Sequence, residues 1–352
     1  MEKNNSSIFN DLSHTLVIAE AGSNWKSGSY EEDLDQASKL IEVASKSNAD
    51  AVKFQTYRSE TVYVKNAGNV EYLNDSKNIN EIFKDLSMPY KMIKELAELC
   101  ESSNLLFMST PFSVEDAKQV DPYVKIHKIA SYEINHLRLL EFISKTKKPV
   151  LISTGAATYD EIDFAINIMK KNQNCQIGLL QCTAKYPAPI EDMNLTTIPK
   201  LREKYDVPVG LSDHSVEPVI APIMAVGLGA TIIEKHFTLD RSLPGPDHAF
   251  ALIPEELEMM VKGIRSADKS KGDGEKRILE VEEELYKFAT RSIQAIRDIH
   301  SGDILEEGVN IDVLRPGKQK RGIPARFLLD VVKKKATRNI KNGQGITKED
   351  YI

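Results

Sequence analysis

Apolar residues along the first three-quarters of the chain alternate between two spacings. Short runs rich in Val, Ile, Leu and Phe recur, and each is followed by a stretch with one apolar helical face. The strand candidates are TLVIAE (15–20), DAVKFQ (50–55), LLFMS (105–109), VKIHKIA (124–130), PVLIST (149–154), QIGLLQCT (176–183), PVGLS (208–212) and TIIEKH (231–236). Between them, 31–47 carries Leu34, Ala37, Leu40, Ile41 and Ala44 on one stripe, and 89–103 carries Met92, Ile93, Leu96, Ala97 and Cys100. Helical patterns over 217–228 and 254–266 complete the series, and Pro89 and Pro254 stand where a first helical turn accepts proline. Eight strand–helix alternations in roughly 250 residues are the length and rhythm of a (β/α)8 TIM barrel. An open doubly wound sheet is the alternative, but it usually shows fewer repeats and a Gly-rich first turn, which this sequence lacks.

The expected organisation is a polar N-terminal extension (1–14), a barrel over 15–267, a charged linker over 268–284 and a small, mostly β domain over 285–352. The last is punctuated by SGD, RPG, RGIP and NGQ turns. The stretch 57–87 has no clear period, and so long a loop in a compact barrel is usually functional.

Composition narrows the function. The chain has 352 residues, 41% hydrophobic and 28% charged, which suits a folded protein rather than a disordered one. A net charge of -6 and the lack of a basic arm argue against nucleic acid as a partner. Cys100, Cys175 and Cys182 are too few for a disulfide framework and are not spaced for zinc. The first residues lack the apolar stretch of an export signal. The longest apolar run, from Val219, is broken by Pro222, Gly227 and Gly229 and is too short for a membrane span. A cytoplasmic protein with no membrane or nucleic-acid partner is expected.

In a barrel of this kind chemistry sits at the C-terminal ends of the strands. Nearly every such end is polar here: Glu20; Lys53 and Gln55; Thr110; Lys128, Ser131 and Glu133; Ser153 and Thr154; Thr183 and Tyr186; Ser212, Asp213 and His214; Lys235 and His236. His214 and His236 end neighbouring strands, so two imidazoles can meet above the barrel and bind a divalent ion; each can instead be a hydrogen-bonded rim histidine. Lys53 and Lys128 lie within otherwise apolar strands, where an unpaired ammonium is costly and a bound anion compensates. A structural network with Glu20 and Glu133 is the other reading of these lysines, and both can hold. No P-loop or GxGxxG fingerprint points to a nucleotide.

These segments together resemble the sialic acid synthase family. The carrying blocks are IAEAGSN (18–24), ADAVKFQT (49–56), STPFS (109–113), HKIASYEI (127–134), LISTGAA (151–157), LLQCTAKYPAP (179–189), VGLSDHS (209–215), IIEKHFTLDR (232–241) and GPDHAFAL (245–252), continued by RSIQAIRDIHSGDIL and VLRPG. The resemblance implies condensation of phosphoenolpyruvate with an N-acetylated hexosamine to give a nonulosonic acid, with Mn2+ or Mg2+ on His214 and His236. It implies phosphoenolpyruvate held by Lys53, Thr110, Lys128, Ser131, Ser153 and Ser212. Gln55, Asn74, Tyr186 and Asp247 then surround the sugar, and Glu20, Lys53 and Glu133 are catalytic. It further implies that the C-terminal part is an antifreeze-like (SAF) domain reaching the partner's barrel in a domain-swapped homodimer, with Arg315 on the sugar's N-acyl group.

The sequence departs from the family pattern at Trp25, where a histidine is common, at Gln181 and at Ala184. Trp25 is expected to pack on the substrate or to wall its loop, with packing on the substrate favoured. The acceptor is left open between N-acetylmannosamine and a 2,4-diacetamido-6-deoxyhexose. Competing readings are a synthase of heptulosonate or octulosonate phosphates, and a non-catalytic carbohydrate-binding homologue.

Overall fold

A computed structural model describes residues 14–69, 78–171 and 176–352. The chain divides into two compact units, Met1–Gly272 and Asp273–Ile352.

In the first unit all eight expected strands form: β1 (Leu16–Gly22), β2 (Ala51–Thr56), β3 (Leu106–Pro111), β4 (His127–Ile129), β5 (Val150–Ser153), β6 (Ile177–Cys182), β7 (Val209–Asp213) and β8 (Ile232–His236). They are parallel, in the order β3-β2-β1-β8-β7-β6-β5-β4. β4 lies against β3 without a regular ladder, so the sheet closes on itself as a (β/α)8 barrel. Between strands run helices that include Tyr30–Lys46, Tyr90–Ser102, Leu137–Thr146, Tyr159–Lys170, Thr197–Tyr205 and Pro254–Ser270.

Local chemistry sets the helix ends. Ser29 and Glu32 make a reciprocal capping box at the first helix, and Asp33 accepts from the backbone of Ser27 and Gly28 at 2.7 and 2.9 Å. The helix expected over 217–228 begins later, at Ile220, because the Glu217 carboxylate takes the free amides of Val219, Ile220 and Ala221. The helix expected to end at 266 runs on to Ser270. Its Asp268 accepts from the Thr15 amide and hydroxyl, both at 2.7 Å, tying it to the start of β1.

Strand periodicity separates two cores. Val17, Ala19, Val52, Phe54, Ile152 and Leu179 face outward into the layer shared with the helices. Leu16, Ile18, Ala51, Met108, Ile126, Leu151, Leu180 and Ile232 form a second cluster that fills the barrel interior. β7 contributes no side chain to it: at Gly210 a Cβ would stand 2.2 Å from the Ile232 carbonyl and 2.8 Å from Leu180 Cδ2.

The second unit is small and turn-rich. Ser292–Ala295 (β9) and Ile311–Leu314 (β10) pair antiparallel, and isolated bridges such as Ile299–Ile340 and Ile304–Lys335 hold the remainder. Ile293, Ile299, Leu305, Ile311, Val331, Ile340 and Ile346 make its core. Among the described residues no helix is long and apolar enough to cross a membrane.

Candidate active site

Two residues along each barrel strand from the interior apolar layer, every strand presents a residue of different character. Ile18 gives way to Glu20, Ala51 to Lys53, Met108 to Thr110, Ile126 to Lys128, Leu151 to Ser153, Leu180 to Cys182, Gly210 to Ser212 and Ile232 to Glu234. Because side chains on a strand alternate sides, these eight belong to the same inner face as the apolar layer, one step nearer the C-terminal mouth. All eight are buried.

The layer is wired together. Lys53 Nζ lies 2.8 Å from Glu20 Oε2, 3.1 Å from the Thr110 hydroxyl and 3.8 Å from Glu234 Oε2. Lys128 Nζ donates to the Ser153 hydroxyl at 2.7 Å and stands 3.6 Å from Glu234 Oε1, which also accepts from Ser212 at 3.0 Å. Gln55 donates to Glu20 Oε1 at 3.1 Å.

Glu234 therefore sits between both ammonium groups. Burial alone would raise its pKa, but Lys128 and Lys53, aided by Ser212, bring it down to about 2. Glu20 has the opposite fate. Burial is the largest effect and Glu234 adds to it, so despite Lys53 its pKa rises to about 7. Burial lowers Lys128, against the pull of Glu234. The sequence reading passed over Glu234 and took Lys235 and His236 as the polar end of β8. The missing signal was parity, since Glu234 stands two residues from His236 and shares its side of the strand.

Lys235 and Asp213 have the opposite parity. Lys235 Nζ binds Asp213 Oδ2 at 2.6 Å, the Ser215 carbonyl at 2.7 Å and its hydroxyl at 3.1 Å, a closed ion pair that leaves no donor for substrate. Thr154 and Thr183 are also committed, to the carbonyls of Leu180 and Asp192.

Above the charged layer His214 and His236 come together, with ring centroids 5.6 Å apart. His214 Nδ1 contacts the Thr183 carbonyl at 3.0 Å; a carbonyl only accepts, so the proton sits on Nδ1 and Nε2 is bare. His236 Nδ1 is buried without a hydrogen-bond partner, 4.0 Å from Asp247 Oδ2. Burial holds both imidazoles neutral, with pKa values near 3; His236 lowers His214 further, and Lys53 lowers His236. Tyr186 packs on His214 at 4.2 Å between centroids. Among the described residues no group of three or more His, Cys, Asp or Glu side chains is arranged around one point.

A cavity of about 470 Å³ opens over this end of the barrel, within the usual range for small-molecule sites. Gln55, Ser131, Glu133, Tyr186, His236 and Asp247 line it, together with residues of the long stretch after β2. Asp247 is held by the Ser23 amide and hydroxyl at 3.0 and 2.8 Å. Ser131 accepts from the Gly155 amide at 3.0 Å, and a Cβ on Gly155 would come within 2.9 Å of that hydroxyl and of Cys182 Sγ. Glu133 follows β4 in a short helical turn; its Oε2 is buried with no hydrogen-bond partner, and burial raises its pKa to about 7 although Lys128 opposes this.

The remaining singled-out positions are placed as follows. Trp25 is 1% exposed and belongs to the core between β1 and the first helix, so it walls its loop and does not face the cavity. Gln181 faces outward and donates to the Met193 carbonyl at 3.1 Å. Arg315 follows β10 in the second unit and is exposed there. Asn74 lies outside the described residues.

Fold and site together define a (β/α)8-barrel enzyme with buried lysines and a neutral histidine pair at its C-terminal mouth. Residues 40–276 match the NeuB family. The chain is 37% identical to the pseudaminic acid synthase of Campylobacter jejuni, over 97% of this chain and 98% of that protein. It is 38% identical to the N,N'-diacetyllegionaminic acid synthase of the same organism, over 95% and 99%. The solved structure of N-acetylneuraminic acid (sialic acid) synthetase from Leptospira borgpetersenii in complex with citrate superposes with a TM-score of 0.70 at 34% identity, covering 78% of this chain and 91% of that one. The chain belongs to the NeuB family of nonulosonic acid synthases.

Proposed function

We propose that this enzyme condenses phosphoenolpyruvate with the open-chain aldehyde of an N-acetylated hexosamine and water, giving a nonulosonic acid and inorganic phosphate. The observation that carries the reading is the pair Lys53 and Lys128, buried side by side at the mouth of the barrel with Glu234 between them. A phosphate or carboxylate oxygen arriving there would complete the donors that Glu234 serves at 3.6–3.8 Å. Thr110, Ser131, Ser153 and Ser212 add hydroxyls around the same anion, while Gln55, Tyr186, Asp247 and Asn74 are assigned to the sugar.

In this reaction the methylene carbon of phosphoenolpyruvate forms the new bond to the aldehyde carbon, and the aldehyde oxygen takes up a proton. Water adds to the second carbon of phosphoenolpyruvate and gives up a proton. The bond from that carbon to the phosphate oxygen then breaks as the added hydroxyl becomes the ketone carbonyl, its remaining proton passing to the phosphate that leaves. Glu133, poised to ionise near neutrality, accepts or returns a proton beside the cavity, and Glu20 is the second candidate. Lys53 and Lys128 hold the phosphate charge from substrate to leaving group.

His214 and His236 suit a divalent ion, Mn2+ or Mg2+. Both are neutral, His214 is oriented by the Thr183 carbonyl, and a buried ring nitrogen of His236 lacks a partner. With only these two side chains, water and substrate would fill the other positions. When bound, the ion supplies Lewis-acid polarisation of the aldehyde oxygen. By family resemblance the second unit is the antifreeze-like domain, serving the partner's barrel in a swapped homodimer with Arg315 on the N-acyl group. The cytoplasm, where phosphoenolpyruvate is made, is the expected location.

The test is to incubate metal-stripped protein with phosphoenolpyruvate, a hexosamine panel and Mn2+, following phosphate release and product mass. Release that needs both metal and sugar supports the proposal. No release with any acceptor, from folded dimeric protein, removes it.

A further inference from the structure

The loop that follows β8 leaves the barrel and returns to it at nearly the same place. Leu252 donates its amide to the His236 carbonyl and accepts from the Thr238 amide, both at 2.9 Å, so residues 239–251 form an excursion with tied ends. Within it the buried His248 meets the Thr238 hydroxyl at 2.6 Å, and Pro246, Asp247 and Phe250 line the cavity. The Asp247 carboxylate is fixed a second time, from the end of β1: Ser23 gives its amide and its hydroxyl to Oδ2 at 3.0 and 2.8 Å. That same oxygen stands 4.0 Å from His236 Nδ1.

Gly22 borders the gap between the two groups. A Cβ there would stand 2.6 Å from Asp247 Oδ2 and 3.2 Å from His236 Nδ1, so the lack of a side chain lets carboxylate and imidazole face each other. Its φ of +54° favours glycine for a separate reason.

The two histidines differ in one respect. His214 has its tautomer set by the Thr183 carbonyl, whereas His236 Nδ1 is buried with no hydrogen-bond partner. We infer that Asp247, held by Ser23, is the positioning residue for His236: a small rotation puts Nδ1–H on the carboxylate and leaves Nε2 bare. Both imidazoles then present the same nitrogen to a divalent ion. The opposite tautomer would place the proton on the nitrogen that a metal needs. A carboxylate on the far nitrogen of a ligating imidazole also fixes the ring and raises its basicity. This deepens the metal reading proposed above and rests on it.

Two measurements test it, both without sugar, which separates this role from any contact of Asp247 with the acceptor. In the first, metal-stripped protein is titrated with Mn2+ and the free-ion EPR signal is followed. Asp247→Ala is expected to bind about 10–100-fold more weakly, and Ser23→Ala to fall between it and wild type, because the Ser23 amide still holds Oδ2. In the second, nitrogen NMR of the labelled imidazoles in metal-free protein should show His236 protonated on Nδ1, shifting toward Nε2 in Asp247→Ala. A merely structural role in the loop would lower the melting temperature and move neither readout. Unchanged Mn2+ affinity in folded Asp247→Ala overturns the inference and leaves the metal reading standing, as does a wild-type His236 protonated on Nε2. Wild-type affinity in Ser23→Ala overturns the part given to Ser23. No Mn2+ binding by the wild type removes the metal reading, and this inference with it.

Discussion

Lys128 and Lys235 are both buried ammonium groups on barrel strands, yet their surroundings differ in kind. Lys235 faces outward and is saturated: a carboxylate at 2.6 Å, a carbonyl at 2.7 Å and a hydroxyl at 3.1 Å take its three protons. Lys128 faces inward, with one short bond to Ser153 at 2.7 Å, a long one to the Ile129 carbonyl at 3.4 Å and Glu234 at 3.6 Å. The first arrangement is complete without a ligand. The second is left incomplete by the chain's own groups, as the proposed binding of an anion requires. Burial alone thus does not distinguish a structural lysine from a binding one; the completeness of its partners does.

Breaking the saturated pair should have the largest effect. Lys235→Met strands the Asp213 carboxylate in the barrel wall and should cost about 3–5 kcal/mol by urea denaturation. The protein that remains folded should keep its kcat/KM. Lys128→Met is the mirror case: phosphate release should fall about 10²–10³-fold, with a much smaller loss of stability because Lys53 and Ser212 still serve Glu234. Should Lys128→Met prove as unstable as Lys235→Met and still turn over normally, the contrast between the two lysines collapses.

A smaller effect sharpens the same point on the acidic side. Glu133 keeps its proton in the folded protein up to a pH of about 7, against 4.5 for the ordinary group. The unfolded chain therefore binds fewer protons between those values, and wild-type stability falls as pH rises through that window. Glu133→Gln escapes this. Its stability relative to wild type should climb between pH 4.5 and 7 and level off above, by an amount on the order of 2–3 kcal/mol. A flat difference across that range in paired thermal melts would show that Glu133 is ionised and compensated.

The strands were legible because eight apolar runs of the right length, each followed by a helical stripe, leave few arrangements but a barrel. Most of the site was legible for the same reason, since polar residues at strand ends fall at the mouth: Glu20, Lys53, Thr110, Lys128, Ser153 and Ser212 converge in one layer. Glu234 was missed and Lys235 misplaced because a run such as TIIEKH, buried on both sides, gives no alternation from which to read the inward face. Trp25 was misjudged for a related reason. Its size fits a substrate wall as well as a core, and only the packing of β1 on the first helix shows which it fills.

By itself, the sequence determined the order of elements, the charge types at the mouth and the pairing of two histidines on adjacent strands. Those depend on short-range periodicity, which the chain carries locally. The tertiary structure decided which of the buried strand lysines face the interior, and that a region without periodicity lines the cavity. Register and ring closure fix those choices, and both arise from contacts between residues far apart in the chain.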